Sequence, residues 1–307
     1  MQQSKFLSYI YISISVILWG FSMIWTNQLI QANIPPYTFI FFRMFFAGAG
    51  LMLFSKLINK LQKIEKQDIK WILIMVLFEP FIYFIGETYG IKLTNSPTVC
   101  ALIIALVPVA TLISGQIFFR EKISKLNILG TILTVPGVAL MVLQSENISV
   151  QYKWGLALLF MAVIGSTGYS TVVKKLTNKY NSFTLASYQF FVGSIYFLPI
   201  FLIKNNGYPI IELLEPQTLF PLMALAILCS CIAFGLYITS IRNIGLTRSV
   251  IFTALIPAVS AVGAYLYGQE TMTPLQIVGI AIVTIGVIFT QDLGFKRNKR
   301  KSDSKSL

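Results

Sequence analysis

The sequence predicts an all-α integral membrane protein with ten transmembrane helices, built as two five-helix repeats of inverted topology. Three observations point there. Of 307 residues, 56% are apolar and only 11% charged, with a mean hydropathy of +0.75, whereas soluble domains carry about 25% charge. Ten apolar segments are each long enough to cross a bilayer, which takes about 20 residues. The chain also matches itself at an offset of 149 residues.

In order, the segments cover roughly 7–30, 36–58, 70–91, 97–119, 126–144, 153–174, 183–203, 219–241, 247–268 and 274–292, and are called spans one to ten below. Span one follows a single lysine, Lys5, and no small-residue cleavage site follows it, so it reads as a retained helix rather than a removable signal. Of the 24 Lys and Arg, 20 fall in alternate connections on one side and only Lys92, Lys153 and Lys204 on the other; Arg43 lies within span two. Positive charge is retained in the cytoplasm. Both termini are therefore expected to be cytoplasmic, in a cell (inner) membrane. The same clustering argues against nucleic acid as a partner, since the basic residues form no single face. The tail KRNKRKSDSKS is expected to contact anionic lipid.

The offset of 149 aligns Gly86 with Gly235, Thr98 with Thr247, Ala105-Leu106 with Ala254-Leu255 and Pro108 with Pro257. It continues through Glu121 with Glu270, Gly130 with Gly279, and Gly137-Val138 with Gly286-Val287. Two repeats are expected, at 1–148 and 149–293, followed by a basic tail at 294–307. Five spans is an odd number, so the second repeat must enter the membrane from the opposite side, as in many secondary transporters. Ser124 and Thr273 stand where the next helix needs an N-cap, and Pro274 follows at the favoured first position.

FFREKISKLNILGTILTVPGVAL and YGQETMTPLQIVGIAIVTIGVIF both resemble the gE-x-l-t-x-x-q-x-x-G-x-x-l-i-x-x-G-v segment of the drug/metabolite transporter superfamily, in particular its EamA-like domains. WGFSMIWTNQLI resembles that family's opening W-G motif. The resemblance covers nearly the whole chain. It implies ten helices around a central cavity and transport without ATP hydrolysis or cofactor, most often efflux, of amino acids, related metabolites or drugs. The chain departs from the family pattern at Glu79, where a small residue is more usual, and at Ser166 to Tyr169, where many members carry a tryptophan.

Ionisable side chains inside spans are costly unless paired or placed beside water, so they are functional candidates. They are Arg43, Glu79 and Glu87. At about 100° per residue Glu79, Tyr83 and Glu87 share a face of span three. Counting about 1.5 Å per residue from the outer ends puts Arg43 about 12 Å deep, Glu79 about 18 Å and Glu87 about 6 Å. Two readings follow. Arg43 and one glutamate form a structural ion pair, or the glutamate left over takes up a proton or a cationic substrate group, with Glu79 nearer the midplane. At the repeat offset Glu79 and Glu87 meet Leu228 and Leu236, so the carboxylates belong to one repeat only.

Other polar residues extend the candidate site. Ser8, Ser15, Ser22, Trp19 and Thr26 make a stripe on span one, read either as cavity wall, with Trp19 and Ser22, or as a close-packing face. Tyr188 and Gln189 offer hydrogen bonds from span seven, as ligands or as interhelical glue. Pro108 and Pro257 inside spans four and nine mark expected hinges. Gly86-x3-Gly90, Ala101-x3-Ala105 and Ala254-x3-Ala258 read as packing contacts.

An enzyme is disfavoured by inventory. There is no histidine, and Asp68, Asp292 and Asp303 all lie at or beyond span ends. The three cysteines, Cys100, Cys229 and Cys231, lack metal-ligand spacing. A facilitative uniporter or channel, a lipid flippase and a membrane receptor remain alternatives to a proton-coupled exporter of small molecules. The oligomeric state is not legible.

Overall fold

The computed structural model describes residues 2–119, 149–204 and 208–269, together with 274, 277–282 and 285. Every regular element among them is helical. Eight helices are long and apolar enough to cross a membrane: Phe6–Gln31, Pro36–Leu57, Lys66–Thr94, Pro97–Phe119, Val150–Leu176, Ser182–Lys204, Pro216–Ile244 and Leu246–Leu266. These are spans one to four and six to nine. Span five, most of span ten, the capping residues Ser124 and Thr273, and the basic tail lie outside the described residues.

Local chemistry sets the helix ends. Asn95 leaves span three in the left-handed conformation, at φ 52°, which Asn tolerates better than most residues. Ser96 then caps span four, its Oγ accepting from the Val99 N–H at 3.0 Å, with Pro97 at the first helical position. Ser149 caps span six in the same way through the Tyr152 N–H, at 3.1 Å. Large apolar side chains such as Phe45, Leu53, Ile164, Ile195 and Leu202 stay exposed on the outside of the bundle, as a lipid-facing surface requires.

The helices pair in a pattern that maps onto itself when the two halves are exchanged. Span two packs on span seven, and span four meets span nine. Span three packs on span six, and its counterpart span eight packs on span one. Span three also meets span seven, as span eight meets span two. The contact between spans two and seven is close because Gly48 has no side chain: a Cβ there would stand 2.6 Å from Phe191 Cα. At the end carrying most of the basic residues, the connections after spans two and six are laced together. Lys179 donates to Asp68 at 2.8 Å, Tyr180 Oη donates to the same oxygen at 2.9 Å, and Asn181 Nδ2 donates to the Lys60 carbonyl at 2.7 Å.

Four of the described spans are broken, again in matched pairs. Span three widens into a π-helical segment at Leu77–Ile82 and span eight at Ala224–Ala233; the repeat offset carries 77–82 to 226–231, within the second segment. In span three the helix is interrupted at Glu79, whose φ −148° and ψ 116° are extended. Pro80 is the cause, because a proline ring crowds the preceding residue out of the helical region. The uniform 100° period expected across Glu79, Tyr83 and Glu87 therefore does not run through Glu79.

Span four breaks between Pro97–Ile104 and Val107–Phe119, and span nine between Leu246–Ile251 and Ile256–Leu266, with a 3-10 turn at Phe252–Leu255. Pro108 and Pro257 are each the second residue of the half-helix after the break. The expectation of prolines interrupting a helix is thus refined: at that position the missing N–H had no intrahelical partner to lose.

Candidate functional site

The breaks in spans three, four, eight and nine converge near the centre of the bundle, where irregular backbone is tolerated only if protein buries it or it borders a cavity. A narrow cavity lies there. It offers about 30 Å³ to the centres of water molecules, room for about two waters at ~10–15 Å³ each. Trp19, Ser22, Arg43, Glu79, Tyr83 and Glu87 all line it. Six of the eight predicted binding residues, drawn from spans one, two and three, thus meet at one point.

All three charged side chains are buried there, with exposures of 3% for Arg43, 4% for Glu79 and 1% for Glu87. Tyr83 Oη donates to Glu87 Oε1 at 3.1 Å, the two residues standing one helical turn apart. Glu87 Oε2 is buried with no hydrogen-bond partner among the described residues. Arg43 does not pair with either glutamate in this conformation. Its Nε donates to Ser230 Oγ at 2.9 Å and its guanidinium carbon lies 4.1 Å from the centre of the Phe84 ring. Ser166, one of the departures from the family pattern, also lines the cavity with Glu79.

Trp19 forms an aromatic wall with Phe234 and Tyr237, at centroid distances of 4.9 Å to each. Its indole N–H donates to the Cys229 carbonyl at 3.3 Å, inside the π segment of span eight. The rest of the span-one stripe divides by role. Ser15 donates to the Ala233 carbonyl at 2.9 Å, and Asn243 donates to Ser8 Oγ at 3.0 Å, so both serines join span one to span eight. Ser22 faces the cavity, and its hydroxyl donates to the Trp19 carbonyl at 2.7 Å.

Gln189 and Tyr188 do not line this cavity. Gln189 Oε1 accepts from Tyr169 Oη at 2.9 Å, joining spans six and seven. Sequence reasoning missed Phe84, Ser230, Phe234 and Tyr237. Tyr237 is held by Ser170 at 2.9 Å. None of these carries a charge, and only the partner of Arg43 distinguishes Ser230 from other hydroxyls in apolar runs. Among the described residues no group of His, Cys, Asp and Glu could hold a metal ion. What the cavity brings together instead is one guanidinium and two carboxyl groups within an aromatic enclosure.

The model of the EamA-like transporter family matches the chain twice, at residues 6–143 and 153–291. An uncharacterised transporter of Archaeoglobus fulgidus is 26% identical over 245 residues, covering 76% of this chain and 82% of that protein. The uncharacterised transporter YetK of Bacillus subtilis is 22% identical, covering 92% and 86%. A probable terminal-alkyne amino-acid exporter of Streptantibioticus cattleyicolor is 22% identical, over 66% of each chain. A solved crystal structure shares the fold at a TM-score of 0.72 and 14% identity, over 92% of this chain and 96% of its own.

Proposed function

The chain belongs to the EamA-like transporter family, and from that premise we propose that it is a secondary transporter exporting amino acids or similar small amphipathic metabolites by alternating access, coupled to protons. The observation that carries this reading is the cavity itself. Three ionisable side chains are buried in a membrane-spanning bundle, around a shared space, without an ion pair between them. Purely structural charges would be expected to neutralise one another, because leaving one unpaired costs several kcal/mol. The matched breaks in spans three and eight and in spans four and nine supply paired points of bending. A related protein named as a probable amino-acid exporter supports the substrate class.

In this reading the repeats at 1–148 and 149–293 have opposite orientations, span five and span ten complete the ten helices, and both termini and the 294–307 tail are cytoplasmic. Cysteines introduced at Ser145 and Ser302 test the orientation: only the former should react with an impermeant reagent from outside. Counterflow tests transport. Proteoliposomes preloaded with unlabelled amino acids should transiently accumulate labelled ones. Simple equilibration would identify a pore, and no uptake of any amino acid would overturn the substrate class.

A further inference from the structure

Arg43 makes no hydrogen bond or ion pair with either glutamate, although both line the same cavity. Phe84 and Glu87 are three residues apart on one helix and therefore share a face. The guanidinium, 4.1 Å from the Phe84 ring centre, lines the same cavity as Phe84 and Glu87. Its partners here are one neutral hydroxyl, that of Ser230, and an aromatic face. A charge-assisted, two-pronged bond to a carboxylate is stronger than either. Glu87 meanwhile accepts one hydrogen bond, from Tyr83, and its Oε2 is left buried and unpartnered among the described residues, on the cavity wall.

We propose that Arg43 is a tethered cation that competes with the cargo for Glu87. It rests on Ser230 and Phe84 while a positively charged group, a substrate ammonium or a bound proton, occupies Glu87, and it swings onto Glu87 when that site empties. The proposal deepens the transport reading and rests on it. A bare carboxylate is costly within the bilayer, so the central site can change sides only when Glu87 is neutralised, by cargo in one direction and by Arg43 in the other. Ser230 is then a positioning residue, because it holds Arg43 away. The other charged or titratable groups around Glu87 are Glu79 and Tyr83 on its own span, Cys100 from span four and Cys229 from span eight. None of them is a second cation, which leaves Arg43 as the competitor among the described residues. Glu79 is the weaker candidate for this site, since the buried carboxylate oxygen without a partner among the described residues is Glu87 Oε2 and not an oxygen of Glu79.

The test is binding, not transport, on the purified full-length protein in lipid nanodiscs with n-butylammonium as probe, read from the rise in unfolding temperature that a native-state ligand produces. Arg43→Gln should tighten the apparent Kd several-fold and Ser230→Ala, which frees the competitor, should weaken it several-fold. Glu87→Gln should abolish the response. Opposed signs at Arg43 and Ser230 cannot come from general destabilisation, so they carry the test even if Glu87→Gln does not fold. Equal affinities in wild type, Arg43→Gln and Ser230→Ala would overturn the proposal. If butylammonium gives no response, an infrared carboxyl band that disappears in Glu87→Gln, and whose pH midpoint moves in Arg43→Gln, identifies the cation as a proton. Absence of both signals refutes it. A failed counterflow experiment with these binding results intact would remove the transport reading and leave the site, so the two failures are distinguishable.

Discussion

A Cβ added to Gly86 would stand 2.5 Å from the carbonyl oxygen of Leu158, so spans three and six meet backbone to backbone at that point. Gly90, one turn further along, would instead place its Cβ 2.3 Å from Leu159 Cδ2, the far end of a flexible side chain. The two glycines look alike in the sequence but face different obstacles. Gly86→Ala must push two helices apart, at a cost of about 1–3 kcal/mol for overpacking. Gly90→Ala can be relieved by a change of Leu159 rotamer and should cost less. Thermal unfolding of both variants in the same lipid would show the difference; equal losses would mean that the helix contact yields as readily as a side chain does.

This contrast also marks how far the sequence could be read. The positions of spans one to four and six to nine were legible because about 20 apolar residues in a row can satisfy their backbone only as membrane helices. The repeat was legible because glycine, proline and Ala-Leu pairs recur at 149, and these are the residues that fix helix breaks and close contacts. The cavity wall was legible where burial is costly, at Arg43, Glu79 and Glu87. It was not legible at Phe84 or Phe234, nor was Ser230 legible as the partner of Arg43, since a serine or phenylalanine in a membrane span is unremarkable until its neighbour is known. The break at Glu79 could have been read from Pro80, but the assumption of one regular helix concealed it. For Gln189 the sequence left two roles open, ligand or interhelical glue, and its bond to Tyr169 on another span matches the second.

The clasp between the connections after spans two and six predicts a pH response outside the membrane core. The hydrogen bond to Asp68, with the negative charge behind it, holds the Lys179 pKa above its ordinary value of 10.5. A raised folded-state value means that the stabilisation is fully present below the unfolded pKa and is lost as pH rises through the folded one. Wild type should therefore unfold at a higher temperature than Lys179→Met at neutral pH, and the two should converge as pH rises beyond the ordinary lysine value. A difference that persists unchanged in strong alkali would assign the effect to packing of the lysine stem. The contribution is expected to be modest, because Lys179 is half exposed.

Pro108 and Pro257 are the second residues of the half-helices that follow the breaks in spans four and nine. Replacing either with alanine restores an N–H without disturbing an existing helical bond, and its stability cost should be about 0.4–1 kcal/mol, from the greater freedom of the unfolded chain. Transport should suffer more, because alanine lets the helix continue across the break and stiffens the point of bending. The expected result is a folded protein in near-normal yield with a several-fold slower exchange rate in both variants. Loss of folded protein in both, with no partly active species, would count against the hinge role.

Glu79 lies on the extended stretch that Pro80 forces into span three, between two helical halves and within the cavity wall. A carboxyl group in that place changes surroundings whenever the halves move relative to each other. Burial disfavours its charged form and a nearby cation favours it, so a group that alternately gains and loses such surroundings can take up a proton on one side and release it on the other. Glu87 sits on regular helix with Tyr83 donating to it, and in the proposed cycle it is always neutralised, by cargo or by Arg43, so it serves as the cation site rather than the coupling group. In proteoliposomes Glu79→Gln should therefore keep the exchange of labelled for unlabelled substrate but lose the acceleration that an imposed pH gradient gives the wild type. Glu87→Gln should lose exchange itself, because the cation site is gone. A Glu79→Gln protein still driven by the gradient at the wild-type rate would rule Glu79 out as the coupling carboxylate. If Glu87→Gln were the variant that kept exchange while losing the gradient response, the two carboxylates would have to trade roles.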